Sequence, residues 1–346
     1  VRTKPIRRFI AAYVVVGSFA VACTVPPTDV PSPLDGIASW TQVTASGPPV
    51  RWGHIAVFDR ARRRVIVWGG TNLSVTHNDL WAFSLDSNTW QSLNAPAGPP
   101  GRVTSAAIAD GARDRMIIMG GSAGGSASNE VWALNLGTLT WQQLASGPAA
   151  RFDAGAATDG EKAWLFGGFS AGNQALDDLW ELDLASGAWE QLPTPTGRPA
   201  PRTNVGFGVI GEKLLLTGGH DEDGLNADTW SYDLVDRRWT QLVEANAPFA
   251  RAHYASATDP TCGLVWLLGG DRNDYVSDSF ELLAAIAEPE AAFFPIGPIG
   301  PEPRRHAAIV FDPDGRRVVL FGGWQGLPKV LGDTWIAAAP PCATGS

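Results

Sequence analysis

A closed ring of six β-sheets, one for each of six repeats, is expected from three features of this 346-residue chain. A Gly-Gly pair ends an apolar run six times, at VIVWGG 65–70, MIIMGG 116–121, AWLFGG 163–168, LLLTGG 214–219, VWLLGG 265–270 and VVLFGG 318–323. The intervals of 51, 47, 51, 51 and 53 residues have the period of a propeller blade rather than of a helical solenoid. About ten residues after each pair comes an acidic residue followed two places on by an aromatic: Asp79 and Trp81, Glu130 and Trp132, Asp178 and Trp180, Asp228 and Trp230, Asp278 and Phe280, Asp333 and Trp335. The third feature is a displaced strand. The last repeat ends before its fourth strand, whereas Ser39-Trp40-Thr41-Gln42-Val43 near the other end copies the Trp-Thr-Gln-Leu of 239–242.

In chain order, residues 1–22 read as an export signal. Arg2, Lys4, Arg7 and Arg8 form a basic region, 9–22 is an uncharged apolar run too short for a transmembrane helix, and Ala20-Val21-Ala22 is a small-residue cleavage site. Cys23 stands where a bacterial lipoprotein carries its lipidated residue. Ala20, in place of the usual Leu, leaves an ordinary secretory signal as the alternative. Residues 23–37 contain Pro26, Pro27, Pro31 and Pro33 and read as a semi-rigid tether. An exported chain held at the cell envelope, touching membrane only through its N-terminal lipid, is the expectation. With 26 basic against 35 acidic residues the formal charge is -9, and loss of the four positive charges of 1–22 takes it to 22 minus 35, or -13. That balance excludes a nucleic-acid binder, and 45% hydrophobic residues with only 3 Cys exclude a disordered chain or a disulfide scaffold.

From residue 38 to 342 the repeats account for the chain, leaving 343–346 as a tail. The runs before Gly-Gly are continuously apolar, as strands covered on both faces are, and later strands alternate. Trp90, Trp141, Trp189 and Trp239 follow the first aromatic by nine residues, each leading into a segment ending Gln-Leu or Ser-Leu. The fifth repeat departs here and offers only Phe293 or Phe294.

These motifs closely resemble the Kelch repeat, over about 38–340. The resemblance implies an all-β, six-bladed Kelch β-propeller in which four antiparallel strands per blade radiate from a channel. The N-terminal strand is expected to complete blade six and remove the open edge.

Each first strand opens with an Arg: Arg51, Arg102, Arg151, Arg202, Arg251 and Arg304. Five precede an Asp by eight residues, namely Asp59, Asp110, Asp159, Asp259 and Asp312. Because all six repeats carry the Arg, it is read as scaffold, pairing the acidic residue at Asp79 and its equivalents, rather than as an anion-binding ring.

Function is sought where the repeats differ, on loops positioned by the scaffold. Two residues after the Arg stand Gly53, Thr104, Asp153, Asn204, His253 and His306; after Gly-Gly stand Thr71, Ser122, Phe169, His220, Asp271 and Trp324. Asp153, Asn204, His253, His306, His220, Asp271 and Trp324 are therefore the candidate ligand-binding residues of one polar mouth, with acidic loops at 221–223 and 271–274 above it and Trp52, Phe152 and Tyr254 as stacking surfaces. His54 is expected on the same face. No HExxH, CxxC or EF-hand spacing occurs, so neither a metal nor another cofactor is expected and no catalytic residue is assigned. Cys262, in the turn between two strands, and Cys342 are expected to share a face and to form a disulfide tying the C-terminus to the neighbouring blade.

Galactose oxidase is similar only in fold, since the tyrosines its copper site needs have no counterpart among Tyr232, Tyr254 and Tyr275. The six-bladed exported sialic-acid epimerases are closer in architecture and imply an alternative, a sugar-active enzyme with an acidic sugar in the channel mouth. The favoured expectation is a monomeric, non-catalytic interaction module engaging a protein or carbohydrate partner through its loop face.

Overall fold

The computed structural model describes residues 40–245, 250–272, 281–287, 290–295, 300–339 and 342. The export signal, Cys23 and the tether lie outside them, as do Asp278 and Phe280 of the fifth repeat. Among the described residues the regular structure is all β apart from two single 3₁₀ turns, at Arg60–Arg62 and Gly111–Arg113.

Each Gly-Gly repeat lands in its own antiparallel sheet. The first joins Trp52–Asp59, Arg64–Thr71, Leu80–Ser84 and Thr89–Leu93 in that order, and the second to fourth repeats copy this arrangement. Five sheets are regular four-stranded blades. The sheet of the fifth repeat gains a fifth strand, Val243–Ala245, parallel to Glu290–Pro295. In this sheet Phe293 is buried beside Leu242, Val265 and Leu267, packing against the fourth blade where other repeats use Trp.

The last sheet closes the ring. Thr41–Val43 pairs antiparallel with Val330–Ala338, Thr41 opposite Ile336 and Val43 opposite Thr334, so the first described strand is the outer strand of the last blade. Val330–Ala338 pairs as far as Trp324, because pairing resumes at Gly323 after a register shift. Six apolar clusters hold the assembly, each shared by two neighbouring blades, and the ring has no single central core.

The repeat signature converges on one junction. Arg51 is fully buried; its Nη1 donates to the Gly69 carbonyl, and Nη1 and Nη2 grip the Asp79 carboxylate at 2.7 and 2.9 Å. Trp81 Nε1 donates to the same carboxylate at 2.7 Å, which explains an aromatic two residues after the acid. Arg102 with Glu130 and Trp132, Arg151 with Asp178 and Trp180, Arg202 with Asp228 and Trp230, and Arg304 with Asp333 and Trp335 repeat the arrangement. Arg251 donates equivalently to Gly269. The Arg is thus scaffold.

The glycines close the same junction between blades. Gly70 N–H donates to the Arg102 carbonyl at 2.9 Å, and this bond recurs around the ring to Gly323 and Arg51. Both glycines of every pair have positive φ, and a Cβ on Gly69 would sit 2.9 Å from that Arg102 carbonyl oxygen. At the opposite end of the blades the periodic Asp residues have a separate task. Buried Asp59 accepts from Arg64 Nε at 2.8 Å, freeing Arg64 Nη2 to donate to Leu136 O of the next blade. Arg115 to Leu184 O and Arg317 to Leu85 O repeat this clamp.

Asp178→Ala strands the buried Arg151 guanidinium without its anion. The expected loss is about 3–5 kcal/mol, read as a lower denaturation midpoint at unchanged slope; a loss below about 1 kcal/mol would contradict the junction's role.

Candidate functional site

The mouth of the channel is organised by a second circle of backbone hydrogen bonds. Gly53, Thr104, Asp153, Asn204, His253 and His306 all have φ between 50 and 62°. Thr104 N–H donates to Gly53 O, Asp153 to Thr104 O, Asn204 to Asp153 O, His253 to Asn204 O, His306 to His253 O and Gly53 to His306 O, at 2.7–3.2 Å. Asn, Asp and His are the side chains that best tolerate this left-handed conformation. Part of the polarity read as functional in the sequence is therefore a backbone requirement.

Above the circle the blades do differ. In the fifth, Asp271 is buried and accepts from or shares a proton with His253 Nδ1 at 2.6 Å, while its second oxygen accepts from Arg305 Nη1. Burial opposes ionisation of Asp271, but His253 and Arg305 outweigh it and hold the carboxyl below the usual range. Arg305 also stacks over Trp324, 4.2 Å from the ring centroid. Trp324 lies 5.4 Å from Trp52, Trp52 lies 5.1 Å from His306, and His306 lies 4.3 Å from His253, all between ring centroids. Burial, with the nearby charges of His253 and Arg305, keeps His306 neutral. Burial pushes the pKa of Asp153 up to about 6, outweighing the charge of His253 and the side chains of Thr104 and Asn204, which pull it down.

His253, His306, Asp271 and Trp324 form one contiguous cluster, and Asp153 and Asn204 sit in the circle beneath it. His220 is half-buried at the mouth edge and pairs through its backbone with Thr203. His54 does not face the mouth: it is buried against Phe321 at 5.1 Å, and burial followed by the Arg51 charge lowers its pKa to about 3. Asn273 and Asp274 lie outside the described residues. Sequence reasoning missed Arg305. Its signal was a second Arg directly after a repeat Arg, where the other repeats have Trp52, Val103, Phe152, Thr203 and Ala252.

A cavity of about 480 Å³ occupies the lower channel rather than the mouth, walled by Ala56, Ala107, Ala156 and Ile309. Its Thr158 and Ser256 hydroxyls donate to Lys162 O and Phe207 O, so directed polar chemistry is concentrated at the mouth. Among the described residues no three His, Cys, Asp or Glu side chains converge to hold a metal ion, and no helix is long and apolar enough to cross a membrane. Cys262 and Cys342 are joined, with Cα atoms 5.1 Å apart.

Radial sheets, a shared Arg-carboxylate-Trp junction and a mouth set by left-handed residues define a Kelch-type propeller. The model of the KLHDC2/KLHL20/DRC7 Kelch-repeats domain matches residues 37–149 and 145–323, and the chain belongs to the Kelch-repeat family. It is 35% identical over 123 residues to the flagellar outer arm dynein alpha chain of Chlamydomonas reinhardtii, covering 33% of this chain and 3% of that protein. It is 31% identical over 141 residues to human multiple epidermal growth factor-like domains protein 8, covering 38% and 5% respectively. With Mei4-dependent protein 6 of Schizosaccharomyces pombe it shares 25% over 130 residues, covering 34% and 19%. The matched segments are thus small parts of these relatives. Propellers of this family generally serve as protein-interaction modules.

The Asp153 pKa gives a pH test. Raised in the folded state, it favours folding below the unfolded value near 4, and that contribution is lost as pH rises through about 6. Asp153→Asn is therefore expected to stabilise the chain by about 1–2 kcal/mol at pH 8 and by nothing near pH 4. Denaturation at the two pH values checks it; an equal effect at both would refute the burial of an anion.

Proposed function

We propose that this propeller is an interaction module displayed at the cell envelope, taking a protein or glycan partner at its mouth. One observation carries the reading. The residues common to the repeats are consumed by the junction and the backbone circle, whereas those that differ gather as Trp52, His253, Asp271, Arg305, His306 and Trp324 on one rim.

The export signal, Cys23 and the Pro-rich tether read from the sequence support display, and the described chain ends lie together on the propeller. Trp40 packs with Leu264, Phe311 and Ala337, toward the turn end of the blades, and Cys342 is bonded to Cys262 in a turn there. A second reading, an enzyme acting on an acidic sugar, rests on the carboxylate-held His253 beside His306, an arrangement suited to general base chemistry.

The melting temperature should rise with a specific member of a panel of sugars, uronic and sialic acids and peptides, by about 2.7 kcal/mol of stability at 100 times its Kd, and His253→Ala should abolish the rise. Turnover of a bound sugar would favour the enzyme; no rise with any compound would count against a small ligand at the mouth. For the anchor, Cys23→Ser is expected to move the protein from the membrane fraction to the soluble fraction, and an unchanged distribution would exclude lipidation at that residue.

A further inference from the structure

The two carboxylates of the mouth are treated unequally. Asp271 has two nitrogen partners, His253 and Arg305. Asp153 has the neutral side chains of Thr104 and Asn204 and feels the charge of His253, which is itself bonded to Asp271; no Arg, Lys or His nitrogen forms an ion pair with Asp153 among the described residues. The left-handed backbone does not require a charge there, since Asn204 meets the same constraint in the next blade with a neutral amide. A desolvated carboxylate with no ion-pair partner of its own is costly, and its retention points to a ligand that supplies the missing charge.

The surroundings suit a cation. Phe152 and Phe169 stand beside Asp153 in the same blade with centroids 5.4 Å apart, and the Trp52–Trp324 wall already carries one guanidinium, that of Arg305. On the rim, Asp221 spends its carboxylate on its own loop, on the Asp223 and Gly224 amides and on Asn226. Glu222 and Asp223 are exposed, and neither forms an ion pair among the described residues.

We propose that the mouth receives a cationic group, the ammonium or guanidinium of a lysine or arginine side chain carried by a protein partner. The inference rests on the reading of the mouth as a binding site and adds the charge and source of what binds. A protein, rather than a free amine, is favoured by the neighbouring rim. Leu73, Val75 and Leu327 are 46, 53 and 77% exposed on the loops that follow Gly-Gly in the first and last blades. Both loops are internally braced. Thr71 and Asn72 accept from the amides of Leu73, Ser74 and Val75, and Gln325 Nε2 donates to Pro303 O while its N–H donates to Lys329 O. Such presented apolar tips offer contacts to a partner larger than the pocket, which a free amine could not reach. The groups able to modulate Asp153 are His253 and His306 on the facing blades, with Arg305 and Asp271 behind them; ionisation of Asp153 near pH 6 makes cation binding strengthen above that pH.

The test is calorimetric titration of the full chain at pH 7.5 with acetyl-Gly-Leu-X-Val-Gly-amide, X being Arg, Lys, Gln or Glu, alongside spermidine and glucuronate. Arg or Lys is expected to bind at least about tenfold more tightly than Gln, with Glu weakest. Asp153→Asn, verified as folded by its melting temperature, should erase the preference of Arg over Gln. Leu73→Ser with Leu327→Ser should weaken peptide binding while leaving any binding of spermidine unchanged. Preference for Glu or glucuronate would overturn the proposed charge while retaining the mouth as a site, and so would an Arg preference that survives Asp153→Asn. Spermidine binding as tightly as the Arg peptide would overturn the protein source. Failure of every probe, cationic and anionic alike, would remove the mouth reading itself.

Discussion

The buried guanidinium of the repeat Arg is the interaction on which the rest of this propeller depends. It ties the start of the first strand to the first glycine of the second and to the acidic residue that opens the third. Its own carbonyl accepts the second glycine's N–H from the preceding blade. A single residue therefore fixes both the geometry within a blade and the angle between blades. A charge so deeply buried is tolerated because its donors meet acceptors on several sides and its carboxylate stays partly solvated, between 20 and 37% exposed in the five pairs described. Glycine is needed at both positions, because a Cβ on the first would meet the neighbouring Arg carbonyl and one on the second would meet the first strand of its own blade, as at Trp52 O, 2.8 Å from Gly70.

This division of labour leaves the mouth free to vary. The backbone circle uses only amides and carbonyls, so its side chains are limited to types that tolerate a left-handed backbone but not to a single identity, and the residues after Gly-Gly are not limited in this way. Asp271, Arg305, Trp52 and Trp324 owe nothing to the repeat. Their packing into one ion pair and one stacked wall is a property of the fifth, sixth and first blades alone.

Much of this was legible in the sequence because the defining interactions recur. A Gly-Gly pair, an acid two residues before an aromatic and a strand copied at the wrong end each mark a geometric requirement, and six repetitions separate them from chance. The Arg partner could be inferred for the same reason. What could not be read is whatever occurs once. Arg305 is hidden behind Arg304, the parallel Val243–Ala245 strand has no counterpart in another blade, and His54 was drawn to the mouth by residue type although it lies one place beyond the circle, inside the interface between blades.

The circle also shows why polar residues at a channel mouth are poor evidence of function by themselves. The left-handed conformation selects Gly, Asn, Asp and His whatever the ligand, and Gly53, Asp153, Asn204, His253 and His306 are of those types. Thr104 is the exception, accepted because its amide still reaches the Gly53 carbonyl, at 2.7 Å. What backbone geometry does not explain is charge and pairing. Asn would serve in place of Asp153 without the burden of a desolvated anion, and no backbone rule places a carboxylate on His253 or an indole beneath Arg305. The functional content of the mouth therefore lies in the difference between a residue that merely fits the turn and one that fits it at an energetic disadvantage.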